Sequence, residues 1–224
     1  MALRTKAQQA NFPNVTLADH PLVRQALGAM RDQKTSIIAF RSAVAALTPH
    51  LIYAATRGLA EKRHRITTPL APMYAATLRD QIILVPILRS GLGMLGPAQA
   101  IFPAAVTICA GVKRDEATAM PHWYRDLEQL PGLDGGKNCT FLILDPMLAT
   151  AGSSIEVITR IKAYYPAAQV HMIAMIAAPE GVRKFTQAHP DVPITLAAID
   201  DHLNEKAYIV PGLGDAGDRQ FGTV

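Results

Sequence analysis

The chain of 224 residues is half hydrophobic, which suits one large domain or one domain with a small subdomain. Lysine and arginine (22) exceed aspartate and glutamate (18), and these charges are scattered, which favours an anionic small substrate over a nucleic-acid partner. The cysteines lack C-x-x-C spacing and no apolar stretch reaches about 18 residues, which argues against a metal or redox site and against a membrane span.

The N-terminal part of the chain predicts an arm followed by helices and a hairpin. Residues 1–17 are polar, which indicates a loose arm rather than a signal peptide, so we expect a cytoplasmic protein with one domain over residues 18–224. Apolar residues recur at helical spacing from His20 to Ser36, and a second helix is predicted from Phe40 to Arg57. Prolines interrupt the pattern between Gly58 and Asp80, which predicts short strands or a hairpin outside the main sheet.

Three arginines in the first half of the chain differ in their predicted roles. Arg31 and Arg41, in the predicted helices, are interpreted as solvated or interface charges rather than catalytic groups. Ile82 to Ile87 is an apolar run typical of a buried parallel strand, and Arg89 follows it at a sheet edge suited to ligands. From this spacing alone, however, a surface salt bridge is the favoured interpretation of Arg89.

A third strand is predicted from Ala104 to Ala110, and the charged segment from Gly111 to Glu116 follows it. This segment contains Arg114, and its composition suits a mobile loop over a charged substrate as well as an ordinary solvent loop. Trp123 and Tyr124 come next. Because no further aromatic residues interleave with them, they are interpreted as packing residues rather than as a base-stacking platform.

The stretch from Phe141 to Ser154 carries the strongest chemical signal. Its first four residues are an apolar run typical of a buried strand, and the run ends at Asp145, where open α/β sheets bind ligands. Small and hydroxyl residues follow from Ala149 to Ser154, so backbone N–H groups can approach an anion. Ser153 and Glu156 have the spacing of a capping box, which predicts that a helix begins here. This order predicts a phosphate cradle, although an ordinary strand-to-helix turn capped by Asp145 fits the periodicity equally well.

The rest of the chain continues the alternation of strands and helices. Strands are predicted from Gln169 to Ala177 and from Pro193 to Ala198, with a helix between them, and this alternation predicts a doubly wound, mostly parallel α/β sheet. His171 and His189 are interpreted as structural residues because no partner ligands lie at metal spacing. The glycine-rich segment from Tyr208 to Thr223 fits a rigid base-recognition collar or a glycine-rich tail.

Four segments resemble the uracil phosphoribosyltransferase family, in the same order along the chain. They are VPILRSGLGM around Arg89, GVKRDEAT around Arg114, DPMLATAGS from Asp145 and YIVPGLGDAGD from Tyr208. The resemblance covers residues 18–224 and implies a type I phosphoribosyltransferase-like fold, with a small hood formed by peripheral strands and the C-terminal segment. It also implies conversion of uracil and 5-phospho-α-D-ribose 1-diphosphate to UMP and diphosphate.

The resemblance implies roles for individual residues. Arg89, Arg114 and Asp145 would be catalytic, with the arginines on the diphosphate and Asp145 on the ribose hydroxyls. The implied contacts of phosphoribosyl diphosphate are Arg89, Arg114, Asp145, Pro146, Met147, Leu148, Ala149, Thr150, Ala151, Gly152, Ser153 and Asp215, and those of uracil are Ile209, Gly214, Asp215 and Ala216. Ala151 stands where the family has a glycine, so it would be strained by about 1 kcal/mol or more if this backbone needs positive φ.

Cofactor and partners follow from the same resemblance. Mg²⁺ is expected to bind mainly through the substrate diphosphate, without a dedicated cluster of protein ligands. We expect a homo-oligomer, either a dimer or a tetramer, and GTP is a candidate activator because some relatives respond to it. Neither nucleic acid nor a membrane is expected as a partner. The open alternative is a regulator that keeps this fold and binds RNA without turnover, which would need a contiguous basic face that the sequence does not show.

Overall fold

A central parallel β-sheet organises the fold. The computed structural model of the chain describes residues 12–114, 121–127, 130 and 132–223. Its strands are β1 Val15–Leu17, β2 Glu61–Thr67, β3 Pro72–Leu78, β4 Gln81–Pro86, β5 Val106–Thr107, β6 Gly111–Arg114, β7 Pro121–Arg125, β8 Cys139–Leu144, β9 Met147–Leu148, β10 Gln169–Ala177, β11 Ile194–Ile199, β12 His202–Leu203 and β13 Ile209–Val210. Within the described ranges, the strand order is β1–β11–β10–β8–β4–β5, with β9 beside β10, and these pairs are parallel.

Helices cover both faces of this sheet. They are α1 Pro21–Arg31, α2 Ile37–Ala55, α3 Leu92–Ile101, α4 Gly152–Tyr164, α5 Pro179–Ala188 and α6 Ala216–Phe221, and a 3₁₀ turn covers Asp134–Gly136. Side chains alternate along β8: Leu142 and Leu144 belong to the core with α1, α2 and α3, whereas Phe141 and Ile143 belong to the core with α4 and α5. Because β8 is buried on both faces, its sequence is a continuous apolar run.

The direction in which the sheet is built reverses between β4 and β8. From β4 the chain passes through α3 to β5, and it then returns to β8 on the other side of β4 before it continues to β10 and β11. α3 and α4 lie on opposite faces of the sheet. Such a reversal opens a crevice at the carboxyl ends of the strands, where open α/β sheets bind ligands. Here those two ends lead into Arg89 and Asp145.

The predicted α/β class with a doubly wound, mostly parallel sheet is confirmed. Four predicted strands correspond to β4, β8, β10 and β11, and the hairpin expected between Gly58 and Asp80 is formed by β2 and β3. The strand predicted from Ala104 to Ala110 is shorter than expected. It consists of β5 and a separate bridge between Ile87 and Ala110.

Two segments outside the predicted sheet and helices form strands. Val15–Leu17, within the predicted arm, pairs with β11 at the edge of the sheet, and Phe12 is buried in the core, so these residues belong to the domain rather than to a loose arm. Residues 1–11 lie outside the described part of the chain. Gly111–Arg114, predicted as part of a charged loop, forms β6 and pairs antiparallel with β7. Both strands lie at the periphery, where polar side chains can face solvent, so their sequences lack a long apolar run.

Helix α1 ends earlier than predicted because Ser36 belongs to the next helix. The Oγ atom of Ser36 accepts a hydrogen bond from the backbone N–H of Ala39 and caps α2, which begins at Ile37. Among the described residues, α2 is the helix that is long and apolar enough to cross a membrane by length and composition, which the sequence analysis overlooked. On one side of α2, Phe40 and Leu47 are fully buried in the core, whereas Ile38 and Tyr53 are 78% and 74% exposed.

Arg31 is not a solvated charge. Its side chain is only 19% exposed and forms a two-pronged ion pair with Asp200, whose side chain is 4% exposed. The interpretation of Arg31 as a solvated charge is therefore wrong. The pairing could not be read from the sequence, because Arg31 and Asp200 are far apart in the chain and meet only in the folded protein.

Candidate active site

Asp145 lies at the carboxyl end of β8, beside the reversal in the sheet. Its backbone N–H donates to the carbonyl oxygen of Ile173 in β10 (3.2 Å). Its Oδ1 atom accepts a hydrogen bond from Ser90 Oγ (3.2 Å) and another from the backbone N–H of Met147 (3.4 Å). Ser90 follows β4 and Met147 follows β8, so the carboxylate is oriented from both strands that flank the crevice.

Burial determines the electrostatics of Asp145. The pKa of its carboxyl group is raised to about 6, mainly by burial and also by the negative charge of Asp215, while the hydrogen bonds from Met147 and Ser90 act in the opposite direction. The group is therefore mostly ionised near neutral pH and becomes protonated in mildly acidic solution. A buried carboxyl group whose pKa is shifted in this way is typical of a functional site.

The loop before α4 adopts the shape expected of an anion cradle. Ala151 has φ 60° and ψ 4°, in the left-handed region, and α4 begins directly after it at Gly152. The free N–H groups and the positive end of the helix dipole therefore point into the loop.

The predicted capping box is wrong: Ser153 lies inside the helix, and the side chain of Glu156 accepts a hydrogen bond from Trp123 Nε1 (2.8 Å) instead. The packing role predicted for Trp123 is confirmed, since its ring packs against the core.

Neighbouring elements hold this loop in place. A Cβ atom at Gly181 in α5 would lie 2.1 Å from the carbonyl oxygen of Ala149 and 2.7 Å from that of Leu148, so only glycine permits this close approach. The carbonyl oxygen of Pro146 accepts hydrogen bonds from two backbone N–H groups of β10 (3.0 and 3.1 Å). β9 pairs with β10 as well. The loop is thus fixed by α5 and β10 before any ligand binds.

Asp215 faces the same cavity as Asp145, from the C-terminal segment. It caps α6, because its Oδ1 atom accepts a hydrogen bond from the backbone N–H of Asp218 (2.9 Å). The cavity has a volume of about 550 Å³ and is lined by Asp145, Met147, Ala149, Thr150, Ala151, Gly152, Ser153, Ser154, Lys206, Ala207, Tyr208, Ile209 and Asp215. A cavity of this size accommodates a nucleotide-sized ligand. The predicted cradle and the predicted collar therefore form one cleft.

The two predicted arginines differ in what the structure describes of them. The side chain of Arg89 is 56% exposed and donates from Nη2 to Asp218 Oδ1 (3.1 Å) at the start of α6, beside the cavity rather than in its lining. Burial raises the pKa of Tyr124 and the positive charge of Arg89 opposes that shift, so β7 also lies close to Arg89. Arg114 ends β6, and its side chain lies outside the described part of the structure.

The cleft brings together most of the predicted substrate-binding residues. Besides Arg89 and Arg114, four of them do not line it: Pro146 and Leu148, which are buried beneath the loop, and Gly214 and Ala216, which flank Asp215. The sequence analysis missed Ser90, Ser154, Lys206, Ala207 and Tyr208 as site residues. Tyr208 lies within the glycine-rich motif, and Lys206 lies two residues before Tyr208. Lys206 could therefore have been predicted as a site residue, because a lysine so close to this motif suits an anionic ligand.

A larger cavity, of about 890 Å³, lies elsewhere, near the amino ends of β10 and β11. It is lined by residues that include His20, His50 and His171, and by none of the predicted site residues. Volume alone does not identify a site. The smaller cavity combines an ionisable carboxylate, a helix terminus and the strand reversal, so it is the candidate active site.

Comparison with known proteins finds relatives along almost the whole chain. The family model described as uracil phosphoribosyltransferase matches residues 16–223. A uracil phosphoribosyltransferase from Roseiflexus castenholzii is 46% identical over 209 residues, which cover 93% of this chain and 98% of that protein. Another from Burkholderia ambifaria is 41% identical over 218 residues, which cover 96% of this chain and 98% of that protein.

Solved structures share the fold. A structure from Aquifex aeolicus matches with a TM-score of 0.84 and 35% identity, over 92% of this chain and 97% of that chain. Adenine phosphoribosyltransferase from Leishmania donovani matches with a TM-score of 0.54 over 87% of each chain, and at 15% identity this likeness concerns the fold alone. The predicted type I phosphoribosyltransferase-like fold is confirmed.

Proposed function

The chain belongs to the uracil phosphoribosyltransferase family, and we propose that it joins N1 of uracil to C1 of 5-phospho-α-D-ribose 1-diphosphate, forming UMP and releasing diphosphate. One observation carries this proposal beyond the family match. Asp145, the loop from Ala149 to Ser153 and Asp215 line a single cleft at the point where the strand order reverses. An acid, a set of backbone amides and a glycine-rich collar are the groups that a sugar phosphate and a nucleobase require.

The reaction separates charge, and the residues of the cleft suit that separation. Cleavage of the C1–O bond builds positive charge on the ribose and negative charge on the departing diphosphate. In this proposal the Asp145 carboxylate holds the ribose hydroxyls and stabilises the cationic sugar. The amides from Thr150 to Ser153 bind the 5′-phosphate at the N-terminus of α4. Arg89 and Arg114 bind the diphosphate, for which the guanidinium fork is well matched.

Arg89 is available for this role because its present partner holds it weakly. The ion pair between Arg89 and Asp218 is exposed, and exposed pairs contribute little to stability. A diphosphate carries more negative charge than one carboxylate, so it competes effectively for the guanidinium. Asp218 lies in the first turn of α6, three residues after Asp215, which lines the cleft. The side chain of Arg89 therefore has only a short distance to move from Asp218 to the cleft.

We propose that the segment from Ile209 to Ala216 recognises uracil through its backbone. Uracil accepts at O4 where cytosine donates, and it donates at N3 where cytosine accepts. Backbone groups of Ile209, Gly214, Asp215 and Ala216 that match uracil would therefore be left unpaired by cytosine, which costs affinity.

Mg²⁺ fits the donor groups of the cleft. It usually keeps several waters and binds through one or two carboxylates together with substrate phosphates, and Asp145 and Asp215 are close enough for the charge of one to raise the pKa of the other. In this proposal the ion would bind mainly through the oxygens of the diphosphate, without a dedicated cluster of protein ligands, and the carboxylates of Asp145 and Asp215 would add negative charge that attracts it. When bound, Mg²⁺ neutralises the charge that develops on the leaving group.

The proposal is tested by incubating the purified protein with uracil, phosphoribosyl diphosphate and Mg²⁺ and measuring UMP by chromatography. Replacing uracil by cytosine, hypoxanthine or adenine in the same assay shows which nucleobase the enzyme uses. Formation of UMP from uracil, with no product from the other bases, is the expected result. RNA binding without any turnover would contradict it and would favour the regulator.

We further propose that the protein is a homo-oligomer, either a dimer or a tetramer. In the described part of the chain, β2 and β3 pair only with each other, and Leu70 and Tyr74 of this hairpin are 97% and 70% exposed. A two-stranded ribbon is marginally stable alone, so contact with a second copy would stabilise it. Size-exclusion chromatography with light scattering measures the molar mass of the protein in solution. A monomer at micromolar concentration would contradict the proposal.

The family resemblance also supports GTP as an activator and a cytoplasmic location. GTP should raise the rate of UMP formation at limiting phosphoribosyl diphosphate, and a GTP titration of the initial rate tests this. Fractionation of the source cells tests the location.

A further inference from the structure

A buried ion pair holds the C-terminal collar from outside the cleft. Arg31, at the end of α1, donates from Nη2 to Asp200 Oδ1 (2.6 Å) and from Nη1 to Asp200 Oδ2 (2.8 Å). Both partners also bind Gly212: Arg31 Nη1 donates to its carbonyl oxygen (2.7 Å), and its backbone N–H donates to Asp200 Oδ2 (2.9 Å). The two polar backbone groups of Gly212 are thus both fixed by one ion pair.

A second guanidinium fixes the neighbouring residue. Arg219 in α6 donates from Nη1 to the carbonyl oxygen of Leu213 (2.6 Å), and its other hydrogen bonds go to the carbonyl oxygens of Met30 and Asp32 at the end of α1. Leu213 is buried in the core. The collar is therefore joined to the end of α1 at two consecutive positions.

Gly212 is the point at which this arrangement can control the cleft. Its φ is 62°, in the left-handed region, so the chain changes direction there. Gly214, Asp215 and Ala216, which are proposed to contact uracil, follow within four residues. None of the atoms of Arg31 or Asp200 lines the cleft. Any influence of this pair on substrate must therefore pass through the backbone of the collar.

We propose that Arg31 and Asp200 are positioning residues for uracil: they hold Gly212 so that the backbone groups from Gly214 to Ala216 are preorganised for the base. This inference rests on the proposed function, since it assumes that the collar binds uracil. A preorganised backbone binds its ligand without first losing conformational freedom, so loosening it weakens uracil binding. The cradle for phosphoribosyl diphosphate from Ala149 to Ser153 is fixed separately, by α5 and β10. Phosphoribosyl diphosphate meets the collar only through Asp215 in this proposal, so its binding should respond much less than that of uracil.

The test separates positioning from stability. Arg31→Met and Asp200→Leu each break the pair, and the double variant replaces it by two apolar side chains of similar volume. Such replacements often preserve the stability that single removals destroy, because no unpaired charge is left buried. Arg24→Met is the control, because Arg24 lies in the same helix and pairs with Asp19 at an exposed position.

The expected result is a difference between the two substrates. Each single variant, and the double variant, should raise the KM for uracil by about tenfold or more, while the KM for phosphoribosyl diphosphate and kcat stay within about threefold. The thermal unfolding temperature should fall in the single variants and recover in the double variant. Arg24→Met should match the wild type in every measurement.

Four outcomes would overturn the inference. An unchanged KM for uracil in a folded variant would show that the pair does not position the collar. A purely structural role would be shown if the double variant recovered both the stability and the uracil KM of the wild type. It would also be shown if the KM values for uracil and phosphoribosyl diphosphate rose equally. Absence of UMP formation by the wild type and by Arg24→Met would instead refute the proposed function, and the inference with it.

Discussion

Replacement of Asp145 by asparagine should make the free protein more stable and the enzyme slower. Burial raises the pKa of Asp145 from 3.8 to about 6, so the folded protein binds this proton more tightly than the unfolded chain does. Above the higher value, the folded state must contain an ionised carboxylate that it accommodates poorly. With 1.36 kcal/mol for each pKa unit, the cost at high pH is about 3 kcal/mol, as an upper limit.

The sign of the effect follows from the raised pKa. The contribution of Asp145 to stability is present below the unfolded value of 3.8 and is lost as the pH rises through about 6. Asparagine does not ionise, so the unfolding free energy of Asp145→Asn should increase relative to that of the wild type as the pH rises. Between pH 4.5 and pH 8, the unfolding free energy of the variant should increase by about 2 kcal/mol relative to that of the wild type. In a chain of this size, this corresponds to a rise of about 4–8 °C in the unfolding temperature of the variant relative to the wild type.

Activity should change in the opposite direction. Asparagine keeps an oxygen that can accept the hydrogen bonds of Ser90 and Met147, but it lacks the negative charge that stabilises a cationic ribose. Turnover should therefore fall by at least about tenfold, a loss of more than about 1.4 kcal/mol of transition-state stabilisation. In the wild type, kcat/KM should rise with pH through about 6 as Asp145 ionises.

Urea unfolding at pH 4.5 and pH 8, together with initial rates of UMP formation, measures both effects. Asp134→Asn is the control, because the side chain of Asp134 is 82% exposed and lies outside the cleft, so its rate should match that of the wild type. A stability difference that does not change with pH would refute the raised pKa of Asp145. An unchanged rate in folded Asp145→Asn would refute its catalytic role.

Three further predictions concern the cradle and Arg89. Ala151→Gly should leave the unfolding free energy within about 1 kcal/mol of the wild type, because relief of left-handed strain is offset by the loss of a buried methyl group, whereas Ala151→Val should lower it by more than about 1 kcal/mol in urea titrations. Gly181→Ala should raise the KM for phosphoribosyl diphosphate by about fivefold or more, because its methyl group would push the carbonyl of Ala149, while Gly28→Ala, which meets no atom, should not; an equal KM in both would show that the cradle tolerates the displacement. Arg89→Gln should lower turnover by about tenfold or more with a loss of stability below about 1 kcal/mol, and a fall in stability that accounts for the lost rate would contradict the role of Arg89.

The central sheet could be predicted from the sequence because its inner strands are buried on both faces. β4, β8 and β10 contain continuous apolar runs, and the ends of β8 and β4 placed Asp145 and Arg89 at the edge of the sheet that binds ligands. The assignment of Arg89 to the substrate rather than to a surface salt bridge came from the family resemblance. β1 lies at the edge of the sheet and has only three residues, so composition did not distinguish it from an arm. A continuous apolar run indicates burial on both faces, so this signal does not identify a short edge strand such as β1.

The supporting contacts of the site could not be predicted in the same way. Arg31 and Asp200 are separated by 169 positions, and no local pattern links two such residues. The need for glycine at Gly181 comes from a carbonyl of another segment, and the positive φ of Ala151 could be stated only as a condition. The sequence thus indicated, through its motifs, the residues that are proposed to contact the substrate, whereas the residues that hold those motifs in place were visible only in three dimensions.

Asp145 and Ala151 both raise the free energy of the folded state, and their surroundings explain how the fold retains them. Asp145 continues a strand that is buried on both faces, and the loop with Ala151 is anchored by the fully buried Leu148 and by α5. The apolar cores on the two faces of the sheet supply the stability that these residues remove. Because the loop is fixed by its neighbours, its amides need not be reorganised when an anion binds, and a carboxylate held in a buried place stabilises positive charge more strongly than one in water. In the proposed reaction, the same burial that destabilises the free protein would strengthen the interaction with a cationic ribose, so stability and catalysis would oppose each other at Asp145.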